Sequence, residues 1–91
     1  MVFRDKFSIT YLDGIAYVRF IGNWCVEDAI EYEKFTEFLK KKENPNSAIH
    51  WIGLVDQSQL NSITDEAMEI FARVREDSYK RGCVHTLYYR G

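Results

Sequence analysis

The densest run of chemically capable side chains in this 91-residue sequence is Asp56-Gln57-Ser58-Gln59, followed after Leu60 by Asn61, Ser62, Thr64 and Asp65. Carboxylates, amides and hydroxyls at this density suit a polar ligand or a phosphoryl group. Thr64-Asp65-Glu66 also has the form of a helix start, where a threonine cap and early acids satisfy free N–H groups and the helix dipole. A helix N-terminus attracts phosphate, but these acids oppose it, and no glycine-rich phosphate loop is present, since Gly53 stands alone. The two histidines, His50 and His85, have no third ligand at zinc spacing, so neither a metal nor another cofactor is expected. Cys25 and Cys83 form no CxxC and read as free thiols. Cys25 falls near a helix start, where the dipole lowers a thiol pKa, but no His or Lys adjoins it and no reactive role is expected. No Ser/His/Asp or Cys/His grouping exists, and Glu31 with Glu33 reads as a solvated helix face, so a non-enzymatic protein is the first expectation.

Composition narrows the classes further. Twelve Lys+Arg against 14 Asp+Glu give a net charge of -2, without the basic footprint that nucleic acid or an anionic membrane requires. No apolar run approaches the roughly 18 residues of a membrane span. Residues 1–8 carry charge where a secretory signal needs an apolar stretch. A cytoplasmic protein of one domain is expected, with 46% hydrophobic residues to fill one core.

The elements that must position the polar run follow from pattern. Asp13-Gly14 is a type I′ turn signal and sets a hairpin over residues 7–20. The turn pairs Leu12 with Ile15, Ile9 with Val18 and Phe7 with Phe20. That register places Phe7, Ile9, Tyr11, Ala16, Val18 and Phe20 on one face, so turn chemistry and hydrophobic pattern agree. A helix is expected from about Trp24 to Glu43, capped by Asn23, with Val26, Ala29, Ile30, Phe35, Phe38 and Leu39 as its apolar stripe. Lys40, Lys41 and Lys42 complement its C-terminal dipole, and Asn44-Pro45-Asn46 stops it. Ala48 to Val55 is nearly continuous apolar sequence, as in a central strand covered on both sides. Residues 56–64 then read as a loop. A second helix runs from about Asp65 to Arg81, burying Ala67, Ile70, Phe71 and Val74, and Gly82 ends it. Val84 to Tyr89 is the last strand.

The order β-β-α-β-α-β, with right-handed crossovers, implies an α/β fold. Its four-stranded mixed sheet has order 1-2-3-4, with both helices mainly on the Phe7/Ile9/Val18/Phe20 face. The other face begins with Leu12, Ile15 and Tyr17. The third strand adds to it either Ile49, Trp51 and Val55 or His50, Ile52 and Leu54. The last strand adds Val84, Thr86 and Tyr88, or His85, Leu87 and Tyr89. Any choice leaves an apolar patch too large for a monomer surface, and a twofold homodimer is expected, by face packing or by edge pairing of the last strand.

The element order, the hairpin ending in Gly22, the Lys-rich helix end and Leu54-Val55-Asp56-Gln57-Ser58-Gln59-Leu60 before a helix resemble the STAS domain. This is the fold of bacterial anti-sigma-factor antagonists and the SpoIIAA-like group. The resemblance implies a single STAS-like domain over residues 1–91, a regulatory role and a protein partner, such as a kinase-like regulator that phosphorylates a serine at the start of the second helix. It places partner binding at Asp56, Ser58, Ser62, Thr64 and Asp65. Thr64-Asp65-Glu66-Ala67 falls on the family's Asp-Ser-Ser-Gly stretch, so Asp65 takes the phosphoacceptor position and Ala67 that of the glycine. Asp65 is then either a helix-start residue or a fixed charge in place of phosphate. Ser58, Ser62 and Thr64 are the remaining phosphorylation candidates, and none is expected to be modified. Two other classes stay open: a small-molecule or lipid-binding domain using the sheet face, and a small enzyme with its site in residues 56–65. The first needs a pocket, and two helices over four strands are expected to leave little interior volume.

Overall fold

The structure, a computed structural model, describes residues 2–3 and 6–90. Asp13 and Gly14 take φ of 54° and 79°, as a type I′ turn demands. They join β2 (Phe7–Leu12) to β3 (Ile15–Trp24), with β1 (Val2–Phe3) before them. The hairpin register is the expected one, from Leu12 opposite Ile15 to Phe7 opposite Phe20. The chain continues through α1 (Val26–Glu43), β4 (Trp51–Ile63), α2 (Asp65–Lys80) and β5 (Cys83–Tyr89). β2 to β5 are the four expected strands in the expected order, antiparallel across the hairpin and parallel beyond it. The short β1 adds an antiparallel edge strand beside β2 that the sequence pattern did not mark.

Three expectations are corrected. The largest concerns residues 56–63, expected as a loop and found as strand. β3 does not stop at Gly22 but runs on to Trp24, pairing Ile21 with Gln59 and Trp24 with Ile63 across two register shifts. Gly22, with φ of 84°, sits at the second shift. It re-aims the strand rather than ending it. Tertiary pairing thus overrides the low β-propensity of the polar run. Conversely, Ala48, Ile49 and His50 precede β4 and are exposed.

The second correction is the start of α1. Its N-cap is Cys25, not Asn23, and Trp24 belongs to the strand. Asp28 accepts the Cys25 N–H at 3.0 Å. The third is the buried face of α1. Ala29, Tyr32 and Thr36 are buried, with Val26, Phe35 and Leu39 partly so, while Ile30 and Phe38 are 37% and 59% exposed. Tyr32 and Thr36 extend the line from Ala29 at three- and four-residue steps, and Ile30 and Phe38 lie off that line.

The core is an aromatic cluster between the sheet and both helices. Phe20 stacks on Phe71 at 4.7 Å and meets Trp24 and Tyr32 edge-on at 4.9 and 5.0 Å between ring centroids. Ile9, Val18, Val55, Ala67, Ile70 and Val74 complete it. Edge-to-face and offset-stacked rings suit the aromatic quadrupole.

Among the described residues, α1 is tied to its neighbours by three ion pairs. Lys6 Nζ meets Asp28 at 2.9 Å, Lys40 Nζ meets Asp77 at 3.2 Å, and Arg73 Nη2 donates to Glu33 at 2.7 Å. Partial burial pushes Asp28 up, but the Cys25 N–H, Lys6 and the Cys25 thiol outweigh it and hold the carboxyl below its ordinary range. Arg73 holds Glu33 low. Asp77, opposed by partial burial, is held low by Lys40 and Arg81. Each carboxyl binds its proton less readily in the folded state. Its contribution is therefore complete above the ordinary carboxyl range, about pH 4, and is lost as pH falls through the lower folded values. Urea unfolding at a series of pH values should show stability falling below about pH 4. Asp77→Asn should flatten that slope, by at most about 1 kcal/mol, since the pair is part-exposed.

Candidate functional site

The five polar residues marked by the sequence divide into two places. Asp56 and Ser58 lie mid-way along β4. Asp56 Oδ1 accepts the Ser58 hydroxyl at 2.6 Å and its N–H at 2.9 Å, and Arg19 Nε stands 3.6 Å from Oδ2. The Ser58 hydroxyl, its N–H and Arg19 hold this carboxyl below its ordinary range. Ser62, Thr64 and Asp65 gather at the carboxyl end of β4, roughly 20 Å further along an extended strand. The Ser62 hydroxyl donates to Asn23 Oδ1 at 2.8 Å. Thr64 donates its N–H to the Trp24 carbonyl at 3.1 Å, and its hydroxyl accepts the Ala67 N–H at 3.3 Å, the cap expected of it. Asp65 is exposed in the first turn of α2. Residues 56–65 are therefore no single loop site: the ladder to β3 separates the two groups.

The hydroxyls of Ser58, Ser62 and Thr64 each already serve a local hydrogen bond. Cys25 caps α1, but its thiol points at carboxylates, and Glu27 and Asp28 push it above its usual range. His50 lies outside the strand, and His85 is exposed on β5. Among the described residues no three His, Cys, Asp or Glu side chains group as a metal-holding cluster, and no helix is long and apolar enough to cross a membrane.

The register settles the two sheet faces. Away from the helices lie three rows across β2 to β5: Leu12, Ile15, Ile52 and His85; Thr10, Tyr17, Leu54 and Leu87; Ser8, Arg19, Asp56 and Tyr89. Leu12, Ile15 and Tyr17 are thus on the open face, as expected, and β4 adds Ile52 and Leu54. Leu12, Leu87 and Tyr89 are 60%, 57% and 55% exposed, and Tyr17 41%.

On the helix face, the row Tyr11, Ala16, Gly53 and Thr86 has small residues at its last three positions, across β3, β4 and β5. The buried helix residues Thr36 and Ser78 are small as well. A cavity of about 820 Å³ runs between sheet and helices, lined by Tyr11, Leu39, Ile49 and Trp51 near this row and by core residues such as Phe20, Tyr32 and Phe71 further along. This corrects the expectation of little interior volume. At about 24 cal/mol per Å³, a sealed dry cavity of 820 Å³ costs on the order of 20 kcal/mol, above the roughly 5–15 kcal/mol that holds a domain together. The space is accordingly open to solvent, and Tyr11 and Ile49 in its wall are about half exposed.

No protein-family model matches this chain, and no curated protein matches it. Among solved structures, the crystal structure of Mglu is similar over 89% of this chain, with a TM-score of 0.70 at 11% identity. The matched part is 18% of the Mglu chain. At that identity the likeness shows the fold alone.

The cavity is the feature that sequence reasoning missed. Its signal was present in part: the hairpin turn already set Ala16 beside Tyr11. Gly53 and Thr86 had no face until the alternation of β4 and β5 was known, so the row of small residues was not visible as a row.

Proposed function

We propose that this chain is a non-enzymatic protein-interaction module that docks through the open face of its sheet, with a second copy of itself as a partner. The observation that supports this is the exposed grid of Leu12, Tyr17, Leu87 and Tyr89 around Ile15, Ile52 and Leu54. Three rows on four strands cover roughly 20 by 20 Å. At about 400 Å² it matches the largest patch that a monomer commonly leaves bare, which is often a functional one. Two such faces bury about 800 Å² in all, below the size of stable interfaces, so a weak and concentration-dependent dimer is expected. The grid also suits a twofold partner electrostatically. Arg19 and Asp56 stand side by side on one edge of it, so a copy related by a twofold axis that runs parallel to the strands between β3 and β4 brings each opposite its counterpart's opposite charge.

The resemblance to anti-sigma-factor antagonists supports a second surface at the start of α2, where exposed Asp65 stands at the position of the family's phosphoserine. There the chain would present a fixed negative charge to a kinase-like regulator. A cytoplasmic location belongs to the same reading.

Sedimentation equilibrium tests the dimer. The expected mass rises toward twice 10.8 kDa at high micromolar concentration. Tyr17→Glu, at the centre of the grid, should return the monomer with an unchanged melting temperature. A dimer that survives Tyr17→Glu assigns the contact to the edge of β5 instead. A wild-type monomer throughout overturns self-association.

A further inference from the structure

We propose that the cavity between the sheet and the helices is a binding site for a small amphipathic carboxylic acid, whose apolar body lies over the row Ala16, Gly53 and Thr86. This goes beyond the docking function and rests on the opposite face of the sheet.

Size is the first argument. A cavity of about 820 Å³ falls within the roughly 300–1,000 Å³ typical of small-molecule sites. Its origin is the second. The space comes from side-chain choice rather than from backbone constraint. A Cβ on Gly53 has the Thr86 and Trp51 side chains as its nearest neighbours, at 3.7 to 3.8 Å, which is ordinary contact. The backbone there accepts a Cβ, so the glycine is not forced by close approach of a neighbour.

Charge selects the class of ligand. The chain carries a net charge of -2, yet among the described residues the charged ones lining the cavity are Lys40, Lys42, Arg75 and Arg90 against Glu43. Lys40 is committed to Asp77 and Arg75 to the Tyr88 hydroxyl. Lys42 and Arg90 are exposed and stand at opposite ends of the cavity, Lys42 at the end of α1 beside the starts of β4 and β5 and Arg90 just past the end of β5, so one of the two meets the carboxylate while the apolar wall of Tyr11, Leu39 and Trp51 takes the body. The buried hydroxyls offer little competition for a polar ligand, because Thr36 donates to Glu33 and Ser78 to Val74 carbonyls.

Trp51 lines the cavity and Trp24 does not, so tryptophan emission reports on the site. Dodecanoate, titrated below its micelle concentration, should give a saturable one-to-one change in emission with a micromolar Kd. Calorimetry should return the same stoichiometry. Dodecyltrimethylammonium, of equal chain length and opposite charge, should bind at least tenfold more weakly. Gly53→Leu should fill the cavity and weaken dodecanoate binding at least tenfold while keeping the circular dichroism spectrum and the sedimentation behaviour of the wild type. Ala16→Leu serves the same purpose if Gly53→Leu does not fold. The double variant Lys42→Glu with Arg90→Glu should weaken dodecanoate several-fold and leave dodecanol unaffected. Absence of saturable binding to the wild type overturns the proposal. So does full affinity in the folded cavity-filling variant, or equal binding of the cationic chain. None of these outcomes bears on dimerisation, which Tyr17→Glu tests separately.

Discussion

Trp24→Ala should lower stability by about 4 kcal/mol, the middle of the range for emptying a large aromatic site. Trp24 is 1% exposed, the largest fully buried side chain among the described residues. It touches Phe7, Phe20, Tyr32 and Phe71 with ring centroids between 4.9 and 6.0 Å. Its indole N–H donates to the Ile21 carbonyl at 3.1 Å, within the same strand. Removal therefore empties the meeting point of β2, β3, α1 and α2 at once. A domain of this size has roughly 5–14 kcal/mol in total, so a fall in melting temperature on the order of 15–30 °C follows. Trp51→Ala is the comparison. Its ring borders the solvent-open cavity and leaves fewer packing partners behind, so the loss should be about half as large. Thermal unfolding followed by circular dichroism measures both. Equal losses would mean that the aromatic cluster is not the centre of the core.

Trp24 also marks where the sequence stopped being legible. The Asp13-Gly14 turn carried its own geometry, and the hydrophobic alternation of residues 7–20 agreed with it, so register and buried face could be read before any tertiary contact. Thr64 was readable for the same local reason: a cap is satisfied by residues three positions away. The course of residues 21–24 and 56–63 had no such local signal. Gly22-Asn23 has turn chemistry, and Asp56 to Ser62 has loop composition. What makes both strands is their pairing with each other across 36 or more residues of intervening chain, an interaction no window of sequence contains. The candidate site suffered accordingly. Asp56, Ser58, Ser62, Thr64 and Asp65 looked like one loop, and strand pairing stretched them into two groups. The face assignment of β4 was equally hidden, since Ile52 and Leu54 are as apolar as Trp51 and Val55. Only the parallel register to Ala16 and Val18 separates them. The open-face patch was foreseen because either choice produced it, and the cavity was not, because only one choice does.

Gly82→Ala should cost at least about 3 kcal/mol, far more than a loop glycine usually does. Gly82 holds φ of 105°, where a Cβ is strained by roughly 1–2 kcal/mol whatever surrounds it. The built Cβ also falls inside the contact radius of the Ile49 carbonyl oxygen and 3.1 Å from Asn44 Nδ2. That carbonyl cannot easily retreat. Asn44, buried at the end of α1, donates to it at 2.9 Å and to the Arg81 carbonyl at 2.9 Å, while accepting the Ile49 N–H at 3.0 Å. Gly82 in turn accepts the Trp51 N–H at 3.0 Å. One side chain thus locks the end of α1 to the starts of β4 and β5, at the wall of the cavity that Asn44, Ile49 and Trp51 line. Gly14→Ala separates the two costs. Gly14 has φ of 79° and nothing within 4 Å of a built Cβ, so it should show the backbone strain alone, about 1 kcal/mol. The lock predicts a further, non-additive result. Asn44→Ala strands buried partners and should itself cost about 2–3 kcal/mol, but it frees the Ile49 carbonyl to move. Adding Gly82→Ala to Asn44→Ala should therefore cost less than Gly82→Ala alone, by about 1 kcal/mol in a double-mutant cycle of urea unfolding. Strict additivity would place the whole penalty in the φ of Gly82 and remove the lock as its cause.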